Sequence, residues 1–500
     1  MQPKKKTAFL IAMILTILLL SFIVGTNSGT VVYHNSNGYG NIYMKTYYVP
    51  FWQREVEPDM PQESSNMVFL GWHTDEGKES ATVQKVLLEK SVDLYGNWME
   101  KNPETDFLLP ELHITTEIDR ENIDRESYRV CTCTITNANT DDCLSDVVGQ
   151  IKGRGNSTWG QFEKKPYKIK FDEGQNLFDM GTGKDWVLLN NSMDYTLMRN
   201  EIALEIGRIL GLTYTSKCQW VHVFFNDEYL GIYLLCESVE TGINRIDIEN
   251  PYGSEDILVS FLIEMGGDVE GFEFTPVQNS PLNWGSYFTC AIRYPEPESI
   301  TQYQDEYIYA YMQLVNEAIL TANWDEIIDL VDIKSFIDWY LVNEITMNAD
   351  MGWSMYAYKP QNDKLYLGPI WDFDQSCDST SVSDINRASI YESWQTDSAG
   401  FLNIWFQALM EMEEFRTLLA EEWQKYYPQI QDFLKTEREK SVIYAKDIAA
   451  NYERWPVLGT ITYRIRTEIG NFQTYEENVD FLFTWLDKRL NWIDMELSSY

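Results

Sequence analysis

The chain has 500 residues, and its content of 44% hydrophobic and 14% aromatic residues is typical of a folded protein with more than one domain. Its formal net charge of −38 at pH 7 argues against nucleic acid as a partner, because the phosphates would be repelled. Cationic ligands, metal ions and basic protein substrates are compatible with this charge.

The first predicted element is an N-terminal membrane-directed segment at residues 1–29. Lys4, Lys5 and Lys6 precede an uncharged, mostly apolar run at 7–25. As a helix, this run would span roughly 28 Å, about the thickness of one hydrocarbon core. We expect either an uncleaved membrane anchor or a cleaved signal peptide. In both cases the lysines stay on the inner side, and the remaining chain is extracytoplasmic, anchored to the cell membrane or secreted.

A small β module is predicted at residues 30–100. Short runs rich in aromatic and β-branched residues alternate there with Gly, Asn and Ser turns. The runs "FLGWHTDEG" and "VDLYGNW" resemble the Phe-x-Gly-Trp and Leu-Tyr-x-x-Trp signatures of the internalin-type B-repeat, a β-grasp-like module of bacterial surface proteins. One copy is present, so we expect no repeat array. The alternative is that the module is a spacer.

A third domain is predicted at residues 108–500, beginning with strands. The elements expected after these strands are a helix at 192–211 ended by Gly211, a hairpin at 219–240 with the turn "NDEYLG", helices at 302–347 and a helical tail at 401–500. The first helix carries an apolar stripe at four-residue spacing, formed by Met198, Ile202, Ile206 and Leu210. This order predicts an α+β fold with a β-rich N-lobe at about 108–245 and a helical C-lobe at about 246–500.

The seven cysteines are odd in number and scattered, which is a poor match to a disulfide framework. Cys131 and Cys133 are expected to point to the same face of a strand, and Cys143 is close enough in sequence to pair with one of them. A zinc site would need a second Cys or His pair at matching spacing, and the sequence has none.

The stretch "GRGNSTWGQFEKKPYKIKF" has the parts of a phosphate cradle. Gly153 and Gly155 allow the backbone to approach a ligand closely, and Arg154 places a cation between them. On the strand that follows, Lys168 and Lys170 share one face. Backbone donors followed by a fixed positive charge are what phosphate binding needs. The alternative is a structural turn with a basic strand edge.

A second stretch, "NADMGWSMYAYKPQNDKLYLGPIWDFD", predicts strands at 353–359 and 364–374 around the turn "PQND". Because a hairpin brings its outer ends together, Asp350 is expected to lie near Asp372 and Asp374. Three converging carboxylates repel each other unless a cation compensates them, and Mg²⁺ and Mn²⁺ prefer such oxygen ligands. The alternative is a solvated acidic loop.

Five motifs, in their order along the chain, resemble the spore coat protein H (CotH) kinase family from about residue 109 to the C-terminus. They are "GRGNSTWGQFEKKPYKIKF", "DWVLLNNSMDYTLMRNEIALEIGRILGL", "FNDEYLGIYLLCESVE", "NADMGWSMYAYK" and "LGPIWDFD". The resemblance implies an atypical, secretory-type protein-kinase-like fold. It also implies transfer of phosphate from ATP, with Mg²⁺ or Mn²⁺, to Ser of secreted or coat proteins.

The resemblance also implies roles for individual residues. Asp350 matches the catalytic residue and Asp372 a metal ligand. Lys168 matches the lysine that contacts phosphate, with Lys170 on the same strand face as the alternative. The further implied site residues are Arg154 over the phosphates, Glu237 at the hinge toward the nucleotide base, and Asp374 and Ser354 beside the metal. Many relatives carry Asn as a second metal ligand where this chain has Ser354 and Met355, and a Ser hydroxyl is a weaker ligand than Asn.

Two functional hypotheses follow from the sequence. The first is an exported, membrane-tethered protein kinase that phosphorylates Ser or Thr of surface or coat proteins. The second is a non-catalytic surface protein that keeps a kinase-like fold for binding. A glycoside hydrolase would need two carboxylates about 5–5.5 Å apart beside a sugar groove, and no spacing in the sequence selects such a pair.

Overall fold

The computed structural model describes most of the chain after its N-terminal segment. The described residues are 26–36, 40–50, 54–61, 67–78, 82–83, 85–88, 91–100, 107–138, 142–248, 258–266, 271–273, 289–296, 298–352, 354–379, 391–397 and 403–500. The predicted anchor at 7–25 lies outside these residues. Within the described ranges, no helix is long and apolar enough to cross a membrane. The chain divides into two compact units, Met1–Leu108 and Leu109–Tyr500.

The first unit is built from short β-strands. They are β1 (Thr26–His34), β2 (Tyr43–Pro50), β3 (Glu55–Val56), β4 (Met67–His73), β5 (Val86–Leu87) and β6 (Val92–Glu100). Four of them form a sheet in the order β2-β1-β6-β4, and β3 pairs with β5. Tyr33 and Trp72 pack against each other in its buried core with their rings tilted by 56° and the ring centroids 4.7 Å apart. The predicted strands are therefore present, while the likeness to a B-repeat stays a prediction.

The second unit begins with a closed seven-stranded barrel. Its strands are β7 (Glu111–Thr115), β8 (Arg129–Thr136), β9 (Leu144–Gly153), β10 (Tyr167–Asn176), β11 (Thr182–Leu189), β12 (Cys218–Phe225) and β13 (Glu228–Glu237). They are ordered β10-β11-β13-β12-β7-β8-β9 around the barrel. Neighbouring strands are antiparallel except β12 and β7, which run parallel. The predicted hairpin is the pair β12–β13, turned by Asn226 and Asp227 at positive φ.

Alternation along β10 separates a core face from a polar face. Tyr167, Ile169 and Phe171 are buried in the barrel interior. Lys168 and Lys170 point the other way, as predicted, because successive strand residues face opposite sides of a sheet. The short helix α1 (Ser157–Gln161) lies in the connection between β9 and β10.

Helix α2 (Arg199–Leu210) is shorter than the predicted helix at 192–211. The preceding residues form turns instead, because Asp194 accepts the backbone N–H groups of both Thr196 and Arg199, each at 2.8 Å. The end of the helix is as predicted, since Gly211 adopts φ 95° in the left-handed region, which glycine reaches without strain. The four residues of the apolar stripe are all buried: Met198, Ile202, Ile206 and Leu210.

A second sheet follows the barrel. Its strands are β14 (Phe261–Gly266), β15 (Phe272–Glu273), β16 (Thr289–Tyr294), β17 (Met355–Lys359) and β18 (Tyr366–Leu367), ordered β15-β16-β14-β17-β18. The strand predicted at 364–374 was too long, because only two of its residues pair with β17. Pro369 lacks the N–H that a ladder requires, and Gly368 and Asp372 have positive φ, so the chain leaves the sheet there.

Eight further helices are found in the described part of the second unit. They are α3 (Gln302–Leu320), α4 (Trp324–Leu330), α5 (Ile333–Thr346), α6 (Asn403–Met410), α7 (Glu413–Ile443), α8 (Ala445–Arg454), α9 (Thr467–Gly470) and α10 (Tyr475–Leu497). Short 3₁₀ turns lie at Arg120–Asn122 and Gln395–Asp397. The predicted α+β class is confirmed. The predicted helical tail is interrupted at 455–466, where Pro456 disfavours helical backbone before it.

All seven cysteines are unpaired thiols. Cys131 and Cys133 do face the same side of β8, and both are buried in the barrel interior. Cys143 is exposed, and its thiol donates to the carbonyl of Ala138 at 3.6 Å. The pairing of Cys143 with one of the two buried cysteines is therefore wrong for this structure.

Candidate active site

Two loops bring the three predicted aspartates together. Asp350 follows α5, and Asp372 and Asp374 follow β18. Buried Asn348 joins the loops, since its Oδ1 accepts the backbone N–H of Asp350 at 3.1 Å and its Nδ2 donates to the carbonyl of Asp372 at 3.3 Å. Asp372 raises the pKa of both Asp350 and Asp374, and Asp350 raises that of Asp374, so the three carboxylates share one site, as the hairpin argument predicted.

Asp372 has φ 69°, a left-handed conformation that is uncommon outside glycine. Its neighbours hold it there. The backbone N–H of Phe373 donates to Asn200 Oδ1 at 2.8 Å, and the Ser354 hydroxyl donates to Asp372 Oδ2 at 3.4 Å. Ser354 therefore lies beside Asp372, at the position that the sequence assigned to the metal.

Helix α2 anchors the loop that carries Asp372 and Asp374. Asn200 accepts from Phe373, and Arg199 Nε donates to the carbonyl of Ser376 at 3.0 Å. Arg199 is 1% exposed and pairs with buried Asp194. Two consecutive residues at the start of α2 thus fix the loop from both sides of Asp374.

Burial raises the pKa of all three aspartates, and repulsion from neighbouring carboxylates adds to each shift. Burial, followed by repulsion from Asp372, raises the pKa of Asp350 to about 7. Burial also raises the pKa of Asp372, although the Arg154 guanidinium opposes the shift. The pKa of Asp374 is raised well above its usual range by burial and then by Asp372 and Asp350. The site therefore holds more negative charge than its neighbours compensate.

Arg154 is the predicted cation that the structure brings to these carboxylates. Its guanidinium lies over the ring of Trp371, 5.6 Å from the centroid. It also lowers the pKa of both Asp372 and Asp374 against the effect of burial. The glycine-flanked turn after β9 thus reaches the loop after β18, which joins the two stretches singled out in the sequence.

Two residues of the candidate site were not predicted from the sequence. Gln375, 4% exposed, donates from Nε2 to Asp350 Oδ2 at 2.5 Å, and its Oε1 accepts from Arg464 Nη1 at 3.4 Å. Arg464 lowers the pKa of Asp350 against the effect of burial. Gln375 follows the "WDFD" motif directly and could have been found there, whereas no local signal marks Arg464.

Hydrogen bonds and an ion pair on both sides of Arg464 hold its segment against the site. The Tyr195 hydroxyl lies 2.9 Å from the Thr462 hydroxyl, and the backbone N–H of Arg466 donates to the carbonyl of Ser379 at 2.9 Å. The Arg466 side chain also pairs with Asp378. The region at 455–466, which interrupts the predicted helical tail, therefore contributes to the site.

The two predicted lysines lie at a different carboxylate. Lys168 Nζ is 2.7 Å from Asp185 Oδ1, and Lys170 Nζ is 3.8 Å from Asp185 Oδ2. Glu240 belongs to the same group, because burial, followed by Asp185, raises its pKa to about 7 while Lys168 opposes the shift. Contact of either lysine with phosphate therefore stays a prediction and would require a change of partner.

Glu237 lies in the wall of a cleft of about 390 Å³ at the end of the barrel. It pairs across the ladder with Trp186, a barrel-interior residue. Its Oε1 accepts from Arg245 Nη1 at 2.7 Å, and its Oε2 accepts from the backbone N–H of Lys217 at 2.6 Å. Burial raises the pKa of Glu237, and these two donors oppose the shift. Its side chain is thus held within the protein, and its role toward a nucleotide base stays a prediction.

The carboxylate oxygens of the three aspartates are suitable ligands for a divalent cation, although the three side chains do not surround a metal position. No group of three or more His, Cys, Asp or Glu side chains is arranged to hold a metal ion within the part of the chain that the structure describes. The Asp374 carboxylate, in a residue 7% exposed, has no hydrogen-bond or ion-pair partner among those residues. Since Mg²⁺ is usually held by one or two carboxylates together with water and substrate phosphates, these oxygen donors fit such an ion.

Comparison with known proteins agrees with the family resemblance. The family described as CotH kinase protein matches residues 151–493, well over half of the chain. The match covers β10 to β13, α2 and both aspartate-bearing loops. No curated protein matches the chain at a significant level. The predicted resemblance is confirmed, and the chain belongs to the CotH kinase protein family.

Proposed function

We propose that this chain is an atypical protein kinase that transfers the γ-phosphate of ATP to a Ser or Thr hydroxyl of a surface or coat protein. The observation that carries the proposal is the convergence of Asp350, Asp372 and Asp374 with Arg154 of the glycine turn beside them. Phosphoryl transfer depends mainly on positioning and on electrostatic stabilisation, which such a cluster supplies. Membership in a kinase family supports the same reaction.

Asp350 is assigned to the acceptor hydroxyl. Its pKa of about 7 is suited to a general base, which works best when its pKa lies near the operating pH. Gln375 holds Oδ2, so the other carboxylate oxygen, Oδ1, is the one that we assign to the acceptor proton. The positive charge of Arg464 lowers the pKa of Asp350 against the effect of burial.

Asp372, Asp374 and Ser354 are the residues that would hold Mg²⁺ or Mn²⁺. A divalent cation in this position would supply positive charge to the ATP phosphates. Arg154, which already faces Asp372, is the side chain that we assign to the phosphates. Lys168 or Lys170 would contact the phosphates only if its ion pair with Asp185 were broken.

The proposal extends to location and partner. Residues 1–29 would act as a signal or membrane anchor, which places the kinase unit outside the cytoplasm. The barrel would form the N-lobe and the helical region the C-lobe of a kinase-like fold. The net charge of −38 favours a basic acceptor protein over nucleic acid.

One observation favours the second candidate, a non-catalytic binding protein with the same fold. Ser354 stands where many relatives carry Asn, and its hydroxyl is 3.4 Å from Asp372 Oδ2, a weak contact. A site with low metal affinity would bind nucleotide poorly and would transfer no phosphate.

Calorimetric titration of the protein with a non-hydrolysable ATP analogue separates the two candidates. We expect binding that requires Mg²⁺ or Mn²⁺ and that is lost in Asp372→Asn. The matched control is Asp172→Asn, an exposed aspartate on β10, which should bind as the unmodified chain does. Absence of metal-dependent binding in the unmodified chain would contradict the kinase proposal and support the binding protein.

A further inference from the structure

Cys218 and Cys236 lie directly opposite each other on β12 and β13. In the next pair along the ladder, the backbone N–H of Glu237 donates to the carbonyl of Lys217 at 3.1 Å. Hydrogen-bonded and non-hydrogen-bonded pairs alternate in antiparallel strands, so the cysteines form a non-hydrogen-bonded pair, with Cα atoms about 4.5 Å apart. This separation falls within the range of about 4.4–6.8 Å at which disulfides form.

The two side chains point to the same side of the sheet and interact. Burial raises the pKa of the Cys236 thiol, and the neighbouring Cys218 thiol adds to the shift. Cys236 is fully buried, whereas Cys218 is half-buried and can be reached from solvent. The pair therefore has one accessible and one protected sulfur.

The accessible Cys218 thiol lies near Arg208 of α2, whose Nη1 donates to the carbonyl of Ser216 at 2.7 Å, two residues before Cys218. An accessible thiol next to a second thiol is the arrangement found in thiol–disulfide exchange.

We propose that Cys218 and Cys236 are a redox modification site that closes to a cross-strand disulfide when it meets a low-molecular-weight disulfide. The Cys218 thiolate attacks one sulfur of the oxidant, and a first small thiolate leaves. Cys236 then loses its proton, attacks the Cys218 sulfur and releases the second small thiolate. Two protein thiols become one disulfide, the oxidant is reduced to two thiols, and the two protons pass to the released thiolates.

The disulfide would join the two walls of the cleft at the barrel end. Lys217 precedes Cys218, Glu237 follows Cys236, and both Lys217 and Glu237 line that cleft. Closing the pair therefore fixes the loop after α2 to the segment after β13. The inference does not depend on phosphate transfer, because it concerns only the strand pair and its two thiols.

The other cysteines are not placed for this reaction. Cys131, Cys133, Cys290 and Cys377 are buried. Cys143 is exposed, and its thiol contacts only the Ala138 carbonyl among the described residues. Cys143 can therefore form a mixed disulfide with glutathione, and it serves as the control for cross-linking.

The test treats the full chain with oxidised glutathione, digests it without reduction and analyses the peptides by mass spectrometry. We expect a peptide pair linked through Cys218 and Cys236, with loss of the mass of two hydrogen atoms. The link should persist in Cys143→Ser and disappear in Cys218→Ser. In Cys236→Ala, glutathione should stay attached to Cys218, because the second attack is removed.

Two outcomes would overturn the proposal. One is a chain in which Cys218 keeps glutathione although Cys236 is present. The other is a chain in which both thiols remain reduced while Cys143 is modified. Far-ultraviolet circular dichroism of each variant shows whether it folds. The presence or absence of the cross-link in the unmodified chain decides the proposal even if a variant does not fold.

Discussion

At the scale of single residues, the candidate site is defined by uncompensated charge. Three carboxylates, Asp350, Asp372 and Asp374, face two arginines, Arg154 and Arg464, neither of which forms a close ion pair with them among the described residues. Glu264 on β14 adds further repulsion at Asp372. A bound cation stabilises such a site because it compensates the repulsion between the carboxylates. The raised pKa values are therefore evidence for cation binding.

The first prediction concerns metal binding and pH. The pKa of Asp350 is raised from 3.8 to about 7, so the folded chain holds this proton more tightly than the unfolded chain does. Stability without metal should therefore fall as the pH rises from 3.8 toward 7. Because Mg²⁺ competes with the proton, it should raise the Tm more at about pH 8 than at about pH 6. An equal rise at both values, measured by calorimetry, would contradict this account.

The second prediction concerns Arg464. Removing this cation raises the pKa of Asp350 further, since Arg464 lowers it in the intact site. In Arg464→Gln, the acid limb of the pH–rate profile for phosphate transfer should move to higher pH, and the rate near neutral pH should fall about tenfold. Arg129→Gln, an exposed arginine that pairs with Asp124, is the control. An acid limb that does not move would exclude Arg464 from the site.

At the scale of elements, α2 connects the large hydrophobic core, which barrel strands share with the helices, to the loop after β18. Its buried stripe fixes the helix, and Asn200 and Arg199 at its start fix the loop. The conformation of Asp372, with φ 69°, thus depends on a helix that is distant in sequence. Asn200 and Phe373, which form the connecting hydrogen bond, are 173 residues apart.

The third prediction tests this connection. Asn200→Ala leaves the buried N–H of Phe373 without its acceptor, which should cost about 1–3 kcal/mol of stability. It should also weaken Mg²⁺ binding, because Asp372 loses the contact that holds its backbone. Denaturant unfolding and metal titration measure the two effects. The control is Gln302→Ala, an exposed amide that contacts Glu306 on its own helix. Intact metal binding in Asn200→Ala would show that α2 does not position Asp372.

Local patterns predicted the elements better than their ends. The stripe of α2 and its terminal Gly211 followed from spacing, and the faces of β10 followed from alternation. The start of α2 did not, because Asp194 competes for the N–H groups that a longer helix would use. The strand at 364–374 failed where Pro369 and residues at positive φ leave the ladder.

The candidate site was predictable where the chain order itself makes the contact. Asp350 and Asp372 are joined by a hairpin, so the sequence placed them together. Arg464 reaches Gln375 across 89 residues and carries no periodic or motif signal. The partner of Lys168 and the direction of Glu237 depend on closure of the barrel, which brings Asp185 and Arg245 to them and which no local pattern specifies.

At the scale of the whole molecule, the chain separates into two compact units. The unit Leu109–Tyr500 contains the barrel, the helices and every candidate site residue, and the family match at 151–493 lies wholly within it. The first unit has its own small buried core around Tyr33 and Trp72. The activity should therefore belong to the second unit alone.

The fourth prediction follows from this division. A chain of residues 109–500 should fold and should show the same Mg²⁺-dependent rise in Tm as the full protein, because its core is complete. Calorimetry of both chains measures this. Failure of the shorter chain to unfold cooperatively would show that the first unit is required for stability.

The fifth prediction and most direct measurement is phosphate transfer from γ-labelled ATP to a basic acceptor protein, with Mg²⁺ or Mn²⁺. It compares the unmodified chain with Asp350→Asn, Asp372→Asn and the exposed control Asp172→Asn. We expect transfer by the unmodified chain and by the control. Each of the two site variants should lose about a hundredfold or more of the rate, because positioning and charge do most of the work in this reaction. Absence of transfer by the unmodified chain, or transfer that persists in both site variants, would contradict the assignment of these carboxylates.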